Sequence, residues 1–223
     1  MQPIRLLHTA DIHIGVENYG RIDSATGVNS RVMDFLRRLS DLGDYAIDND
    51  IDVVVIAGDA YRTRDPNPTY QREFARRIKH IASAGIPVVM LVGNHDLPAV
   101  ARRATSIEIF GVLEVPNVYL GDREGIVEIA CRRGQPLQVA MAPYPLRSAL
   151  INRDEHRGKS LEELDAVLEQ IMVQNLGGLA DTAAKRPEVP AILVGHFSAQ
   201  GALTGSEQNI MIGRDAHVPP GVL

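Results

Sequence analysis

The sequence predicts an α/β fold, and three observations carry that expectation. Short, continuous apolar runs such as "DVVVIAGD", "IPVVMLVG" and "VPAILVGH" stand apart along the chain, with segments of helical spacing between them. Runs of this kind suit strands buried on both faces, which helices must then cover. Each run also ends in glycine followed by a polar side chain, Asp59, Asn94 or His196. Polar groups at the carboxyl ends of strands mark the ligand side of an open α/β sheet. Finally, the middle of the chain departs from alternation. "NVYLG", "GIVEIA" and "PLQVAMAPYP" are strand-like with little helix between them, which predicts a second, more antiparallel sheet.

Taken in order, residues 4–8 read as a short buried strand, and a loop rich in Gly, Asn and Asp continues to about residue 28. Val32, Phe35, Leu36, Leu39 and Leu42 fall on one helical face, with Asn29 or Ser30 placed to cap it. "DVVVIAGD" is the second buried strand, the segment from Thr69 to Ser83 a second helix, and "IPVVMLVG" a third strand. After the strand-rich middle, Ser160 and Glu163 form a capping box, and Leu161, Leu164, Leu168 and Ile171 carry that helix onward. "GGLADTAAKRPE", residues 177–188, reads as a loop leading to the last buried strand, "VPAILVGH".

Composition narrows the class. The 223 residues are 45% hydrophobic and 23% charged, an ordinary balance for a globular protein and room for one large domain or two small ones. No run of about 18 apolar residues is present, so no membrane span or membrane partner is expected. The start, "MQPIRLLHTADIH", lacks the plan of a signal peptide. A single cysteine, Cys131, excludes an internal disulfide and fits a reducing cytosol, so a cytoplasmic location is expected. With a formal net charge of −5, a polyanionic substrate would need cations or a local basic patch to be attracted.

Four strand ends carry the same load. "LLHTADIH" ends in Asp11 and His13, "VVVIAGD" in Asp59, "VVMLVGN" in Asn94 next to His95, and "AILVGH" in His196. A lone "GD" or "GNHD" is readily a turn, since Gly, Asn and Asp are turn formers. A turn has no use for His95, however, and the recurrence favours one convergent site. Asp11 and His13, two apart in an extended segment, are placed to grip one cation. Asp59 offers two oxygens for a bridge, and Asn94 with His196 completes a second position. Imidazole, carboxylate and amide ligands together suit Mn²⁺, Fe or Zn²⁺ better than Ca²⁺ or Mg²⁺. Two such ions clamp a phosphoryl group and activate water. His95 would then stand beside the phosphate as an acid or a charge stabiliser.

The ordered set D-x-H, GD, GNHD, GH resembles the calcineurin-like metallophosphoesterase superfamily. The flanking words "LHTADIHIG", "GDAYRTRDPNP", "GNHDLP" and "GHFSAQGA" are similar to its SbcD branch, the nuclease subunits of SbcCD complexes. The likeness runs from Arg5 to about Val218. It implies a four-layer α/β/β/α sandwich with two mixed sheets. It implies cleavage of DNA phosphodiesters with two divalent cations, Mn²⁺ foremost, as 3′-to-5′ double-strand exonuclease and as single-strand or hairpin endonuclease in double-strand-break repair. It also implies a homodimer and a coiled-coil ABC ATPase partner of the SbcC type. By motif, Asp11, His13, Asp59, Asn94 and His196 become metal ligands and His95 the transition-state histidine. Two departures stand out. Many relatives carry histidine three positions after the bridging aspartate, where this chain has Arg62, which cannot titrate near neutral pH but can hold a phosphate, as can Arg64. The family's later GH-x-H motif is not found before Leu223. The expectation is therefore a nuclease domain over residues 1–223 that stops short of that motif and of the capping and ATPase-binding regions. Two other readings stay open: a phosphoesterase for small phosphodiesters or phosphoproteins, and an inactive truncated scaffold.

The remaining polar residues have plainer readings. His8 is expected to be a core or supporting histidine, His80 and His156 surface residues, and His217 not a ligand. Arg72, Arg76, Arg77 and Lys79 form a basic run on a helix, read first as a solvated face and second as a DNA phosphate track. The loop at 15–28, with Tyr19 and Arg21, is either a surface loop or a contact for DNA or the ATPase.

Overall fold

A computed structural model of the chain describes residues 2–98, 103–145, 158–200, 217–219 and 221. Its elements run in the order β1 (Leu6–Thr9), α1 (Ser30–Asp48), β2 (Val53–Ile56), α2 (Pro68–Ser83), β3 (Val88–Leu91), α3 (Glu108–Val112), β4 (Val118–Gly121), β5 (Gly125–Ala130), β6 (Pro136–Ala142), α4 (Leu161–Ala183), β7 (Ala191–Gly195), β8 (Ser198–Ala199) and β9 (His217–Val218). The first four strands form one parallel sheet in the order β1-β2-β3-β4. A second sheet, β5-β6-β7, is mixed: β5 runs antiparallel to β6, and β7 parallel to it.

The period-2 alternation of strands explains the layers. In β2 and β3, Val54, Ile56, Val88 and Met90 point to one face, where they meet Val32, Leu36 and Leu39 of α1 and Phe74, Ile78 and Ile81 of α2. Val53, Val55, Val89 and Leu91 point to the other face and pack on Ile129, Leu137, Val139 and Met141 of the second sheet. The far side of that sheet presents Ala140 and Ala142 to Leu164, Leu168, Met172 and Leu176 of α4. Helices, sheet, sheet and helix are thus stacked as four layers, as expected, but only the second sheet is mixed. Among the described residues the first is all parallel, because helical crossovers return the chain in the same direction each time. Both faces of the central strands are dry, which is why their sequences read as unbroken apolar runs.

Local signals hold at the helix starts. Asn29 caps α1 by accepting from Arg31 N, and Asn67 caps α2 by accepting from Thr69 N, with Pro68 in the first turn. Ser160 and Glu163 make both bonds of the capping box of α4.

Several expectations are corrected. The first strand is Leu6–Thr9 rather than 4–8, and it is a half-exposed edge, because among the described residues only β2 flanks it. "NVYLG" joins the first sheet as β4, in parallel with β3, instead of the second sheet; the short α3 provides the crossover that parallel pairing needs. Residues 177–183 continue α4, since Leu176 and Leu179 extend its apolar stripe across the two glycines. Leu161 is exposed and Ile171 only partly buried on that helix. "AILVG" is not wholly buried, because β7 is an edge of its sheet and Leu193 is 44% exposed. His8 is exposed, not in the core. His80 is on the surface against Asp44, as expected. His156 and the side chain of His217 lie outside the described residues. Among the described residues no helix is long and apolar enough to cross a membrane.

Candidate metal centre

The parallel register brings Thr9, Ile56 and Met90 level with one another, so the loops after β1, β2 and β3 emerge at one end of the sheet. The first two loops stay zipped beyond their strands. Asp11 N donates to Gly58 O at 3.2 Å, His13 N to Asp59 O at 3.0 Å and Ile14 N to Ala60 O at 3.0 Å. Across the two sheets, His196 follows β7 and its Nδ1 lies 2.7 Å from Ala57 O. Four strand ends from two sheets therefore meet.

Asp59 sits at the middle, 2% exposed. One of its carboxylate oxygens lies 3.1 Å from His13 Nε2. The other accepts from His95 N at 2.8 Å and lies 3.7 Å from His196 Nε2. Burial pushes the Asp59 carboxyl up, but the His13 hydrogen bond and the nearby imidazoles outweigh it, and the net displacement is downward. The same hydrogen bond to Asp59 holds His13 above the ordinary imidazole range, against the opposing effect of burial.

Two clusters gather here among the described residues. The ligand atoms of His13, Asp59 and His95 lie within 4.8 Å of one another, and so do those of Asp11, Asp59 and His196. Asp59 is common to both. Asn94 adds its amide oxygen, 3.0 Å from His196 Nε2. Asp11 and His13 thus fall in different clusters, not in one. The segment that holds them is not extended: Asp11 has φ 53° and His13 φ 50°, in the left-handed region, so the same-side placement of residues two apart in a strand does not apply. Asp59 has φ 55° as well. Three non-glycine residues in that region cost on the order of 1 kcal/mol each, a strain that clusters at functional sites.

The donor set fits a cation. A carbonyl oxygen only accepts, so the proton of a neutral His196 must be on Nδ1, facing Ala57 O. Its Nε2 then presents a lone pair to the Asn94 amide oxygen and to the Asp59 carboxylate. Acceptors facing acceptors repel unless a proton or a metal ion stands among them. His95 is fixed in the same way, with Nδ1 2.9 Å from Arg62 O, which leaves Nε2 as its free acceptor. Imidazoles oriented through a backbone carbonyl are the usual arrangement of metal-ligating histidines. The glycines of the motifs make room. A Cβ on Gly58, whose φ is 96°, would collide with His196 Nδ1, and one on Gly93 with Asp59 Oδ1.

Arg62 is exposed at the rim, with Nη1 3.4 Å from His95 Nδ1, and Arg64 is exposed two residues further on. The basic run on α2 is largely occupied at home: Arg72, Arg76 and Arg77 all pair with Glu73, and Arg77 also donates to Leu36 O. That favours the solvated-face reading. The sequence assigns no role to Asp96, the last residue of "GNHD", yet it is fully buried and accepts from Asp59 N and Gly93 N at 2.8 and 3.0 Å. Burial pushes its carboxyl up. The only sequence signal was a carboxylate directly after two site residues, at the end of a buried strand.

Residues 4–200 match the model of the calcineurin-like phosphoesterase family. The chain is 26% identical over 98% of its length to SbcD, a component of the nuclease SbcCD, of Rhodobacter capsulatus, of which it covers 54%. It is 26% identical over 89% of its length to the SbcD component of the same nuclease in Escherichia coli K12, covering 48% of it. It is 30% identical over 51% of its length to the DNA double-strand break repair protein Mre11 of Sulfurisphaera tokodaii, covering 27% of it. The chain thus spans about half the length, or less, of these relatives. With the match running through all four strand ends that build the centre, the chain belongs to the calcineurin-like phosphoesterases, metal-dependent hydrolases of phosphoesters.

Proposed function

We propose that this chain is the catalytic domain of an SbcD-type DNA nuclease that hydrolyses phosphodiesters with two Mn²⁺ ions. The observation that carries the metal part is the pair of clusters sharing Asp59. The DNA part is supported by the names of the relatives, which are nuclease components and a break-repair protein. Asp11, Asp59, Asn94 and His196 would hold one cation, and His13 and Asp59 the other, with His95 at its side. When bound, the pair supplies Lewis-acid polarisation of the phosphoryl oxygens and a water of lowered pKa.

The chain's own residues do the rest. Backbone carbonyls of Ala57 and Arg62 fix the ring planes of His196 and His95. In its protonated form, His95 Nε2 is placed to give a proton to the leaving oxygen, which completes cleavage of the P–O bond. Arg62, beside His95, would hold a non-bridging phosphate oxygen by charge-assisted hydrogen bonds, with Arg64 following along the backbone. These arginines supply a local positive rim on a chain of net charge −5. A second copy of the chain and an SbcC-type ATPase complete the reading as partners. The exposed Ile109, Val112 and Leu113, in and just after α3, offer an apolar surface for such contacts.

The test is a comparison of substrates under Mn²⁺: linear duplex and hairpin DNA against bis-p-nitrophenyl phosphate and cyclic nucleotides. Preferential cleavage of DNA, lost on chelation, is expected. Turnover of the small esters with no action on DNA would assign the site to the small-phosphodiester reading instead.

A further inference from the structure

We propose that Asp96 is a positioning residue that sets the spacing between the ligands carried by β2 and β3. The proposal rests on the reading of Asp59 as the ligand shared by both cations. Asp96 is 0% exposed, yet it lines neither cluster. One of its carboxylate oxygens accepts two peptide N–H groups: Asp59 N at 2.8 Å and Gly93 N at 3.0 Å. The other accepts from Ser106 Oγ at 3.1 Å, and its main-chain carbonyl accepts from Ser106 N at 3.1 Å.

A local turn accounts for the Gly93 bond, since a carboxylate commonly binds backbone nearby in the chain. It does not account for Asp59 N, which lies 37 positions away on another strand end. That bond has a specific consequence. Asp59 N–H is buried, and a buried N–H needs an acceptor, which the Asp96 carboxylate provides. An ionised carboxylate accepts only, and can take both N–H groups on one oxygen. The β2 and β3 loops are thereby clamped at one atom. Asp59 is on one side of it, and Asn94 and His95 on the other. The clamp is closed a second time where His95 N donates back to the Asp59 carboxylate at 2.8 Å. Removing Asp96 leaves two buried N–H groups unpaired and frees the two ligand loops to drift apart. Supporting groups of this kind change metal affinity by about 10- to 100-fold when lost.

The experiment is calorimetric titration of the 223-residue chain with MnCl₂, with circular dichroism as the check on folding. Asp96→Ala is expected to stay folded and to lose Mn²⁺ affinity by about 10-fold or more. Asp96→Asn, whose amide oxygen still accepts from both N–H groups, is expected to restore affinity close to that of the unchanged chain. Asp52→Asn removes another buried carboxylate at the opposite end of β2, and is expected to lower stability while leaving Mn²⁺ affinity alone. If Asp96→Ala does not fold, Asp96→Glu decides: it keeps the charge but moves the oxygens by one bond, and loss of affinity is expected. Unchanged Mn²⁺ affinity in Asp96→Ala or in Asp96→Glu overturns the proposal. Asp59→Asn separates the two levels. Its expected loss of binding supports the shared ligand, whereas binding equal to the unchanged chain removes that reading and the proposal with it.

Discussion

His95 is where chemistry and ligation are hardest to separate. It follows Asn94 at the end of β3, donates its backbone N–H to Asp59, and turns its Nδ1 to Arg62 O. Its ring also meets His13 edge-on at 4.9 Å. If it serves as acid beside the phosphate, His95→Ala keeps Mn²⁺ binding while turnover of the active nuclease falls by about 10²–10⁴-fold. Calorimetry showing lost Mn²⁺ binding would make it a ligand. Gly58 gives a sharper steric case. Gly58→Ala strains a backbone with φ of 96° and drives a methyl into the His196 ring. A cost of about 1–3 kcal/mol in stability is expected, with weaker Mn²⁺ binding, because His196 must leave Ala57 O. Unchanged melting and binding would mean that the loop relaxes freely. The residues of the centre were legible in the sequence because each follows an apolar run directly. Their grouping was not, since it depends on the left-handed turns at Asp11 and His13. Nor was the role of Asp96, which depends on a backbone group from a distant strand.

Helix α4 shows how one local signal misled and another corrected it. Gly177 and Gly178 suggest a loop, since glycine weakens a helix interior. The apolar spacing Leu164, Leu168, Met172, Leu176, Leu179 runs through them and keeps one face on the second sheet. Burial of that stripe outweighs the propensity cost of two glycines, which is about 1 kcal/mol each. Both glycines are exposed, and a Cβ at either would meet nothing within 4 Å. Gly177→Ala and Gly178→Ala should therefore stabilise the chain by about 0.5–1 kcal/mol each, nearly additively, measured by urea unfolding. A loss of stability from either would show that the glycine serves a contact. The fate of "NVYLG" was hidden for a different reason. A strand's own pattern says that it is half-buried, but not which sheet edge takes it; α3, too short to declare itself by periodicity, decides that by returning the chain to β3.

The four-layer stack was visible in outline, because unbroken apolar strands demand cover on both faces. What locks the two sheets together at the end away from the metal centre was not visible. Asp52, fully buried at the amino end of β2, accepts from Arg5 N at 2.8 Å and from Arg133 Nε at 2.7 Å. Arg133 follows β5 and also donates to Pro3 O at 2.9 Å, so one ion pair ties the chain start, the first sheet and the β5–β6 turn. The Arg133 guanidinium holds the Asp52 carboxyl below the ordinary carboxylate range, although burial alone would raise it. A folded-state pKa below the unfolded one gives stability that is fully present above the unfolded value. That stability is lost as pH falls through the folded value. Asp52→Asn should thus lower the melting temperature by several degrees at neutral pH, because a buried acceptor of three N–H groups, from Arg5 N and from Arg133 Nε and Nη2, is weakened. The gap between variant and unchanged chain should then close below about pH 4. Both proteins are compared with chelator present, so that release of metal does not enter the melting curves. Asp96, whose carboxyl burial raises, is common to both and cancels in the difference. A gap that stays constant from neutral pH to well below the carboxylate range would show that the Asp52 charge contributes nothing. Packing around Arg133 would then be what joins the sheets.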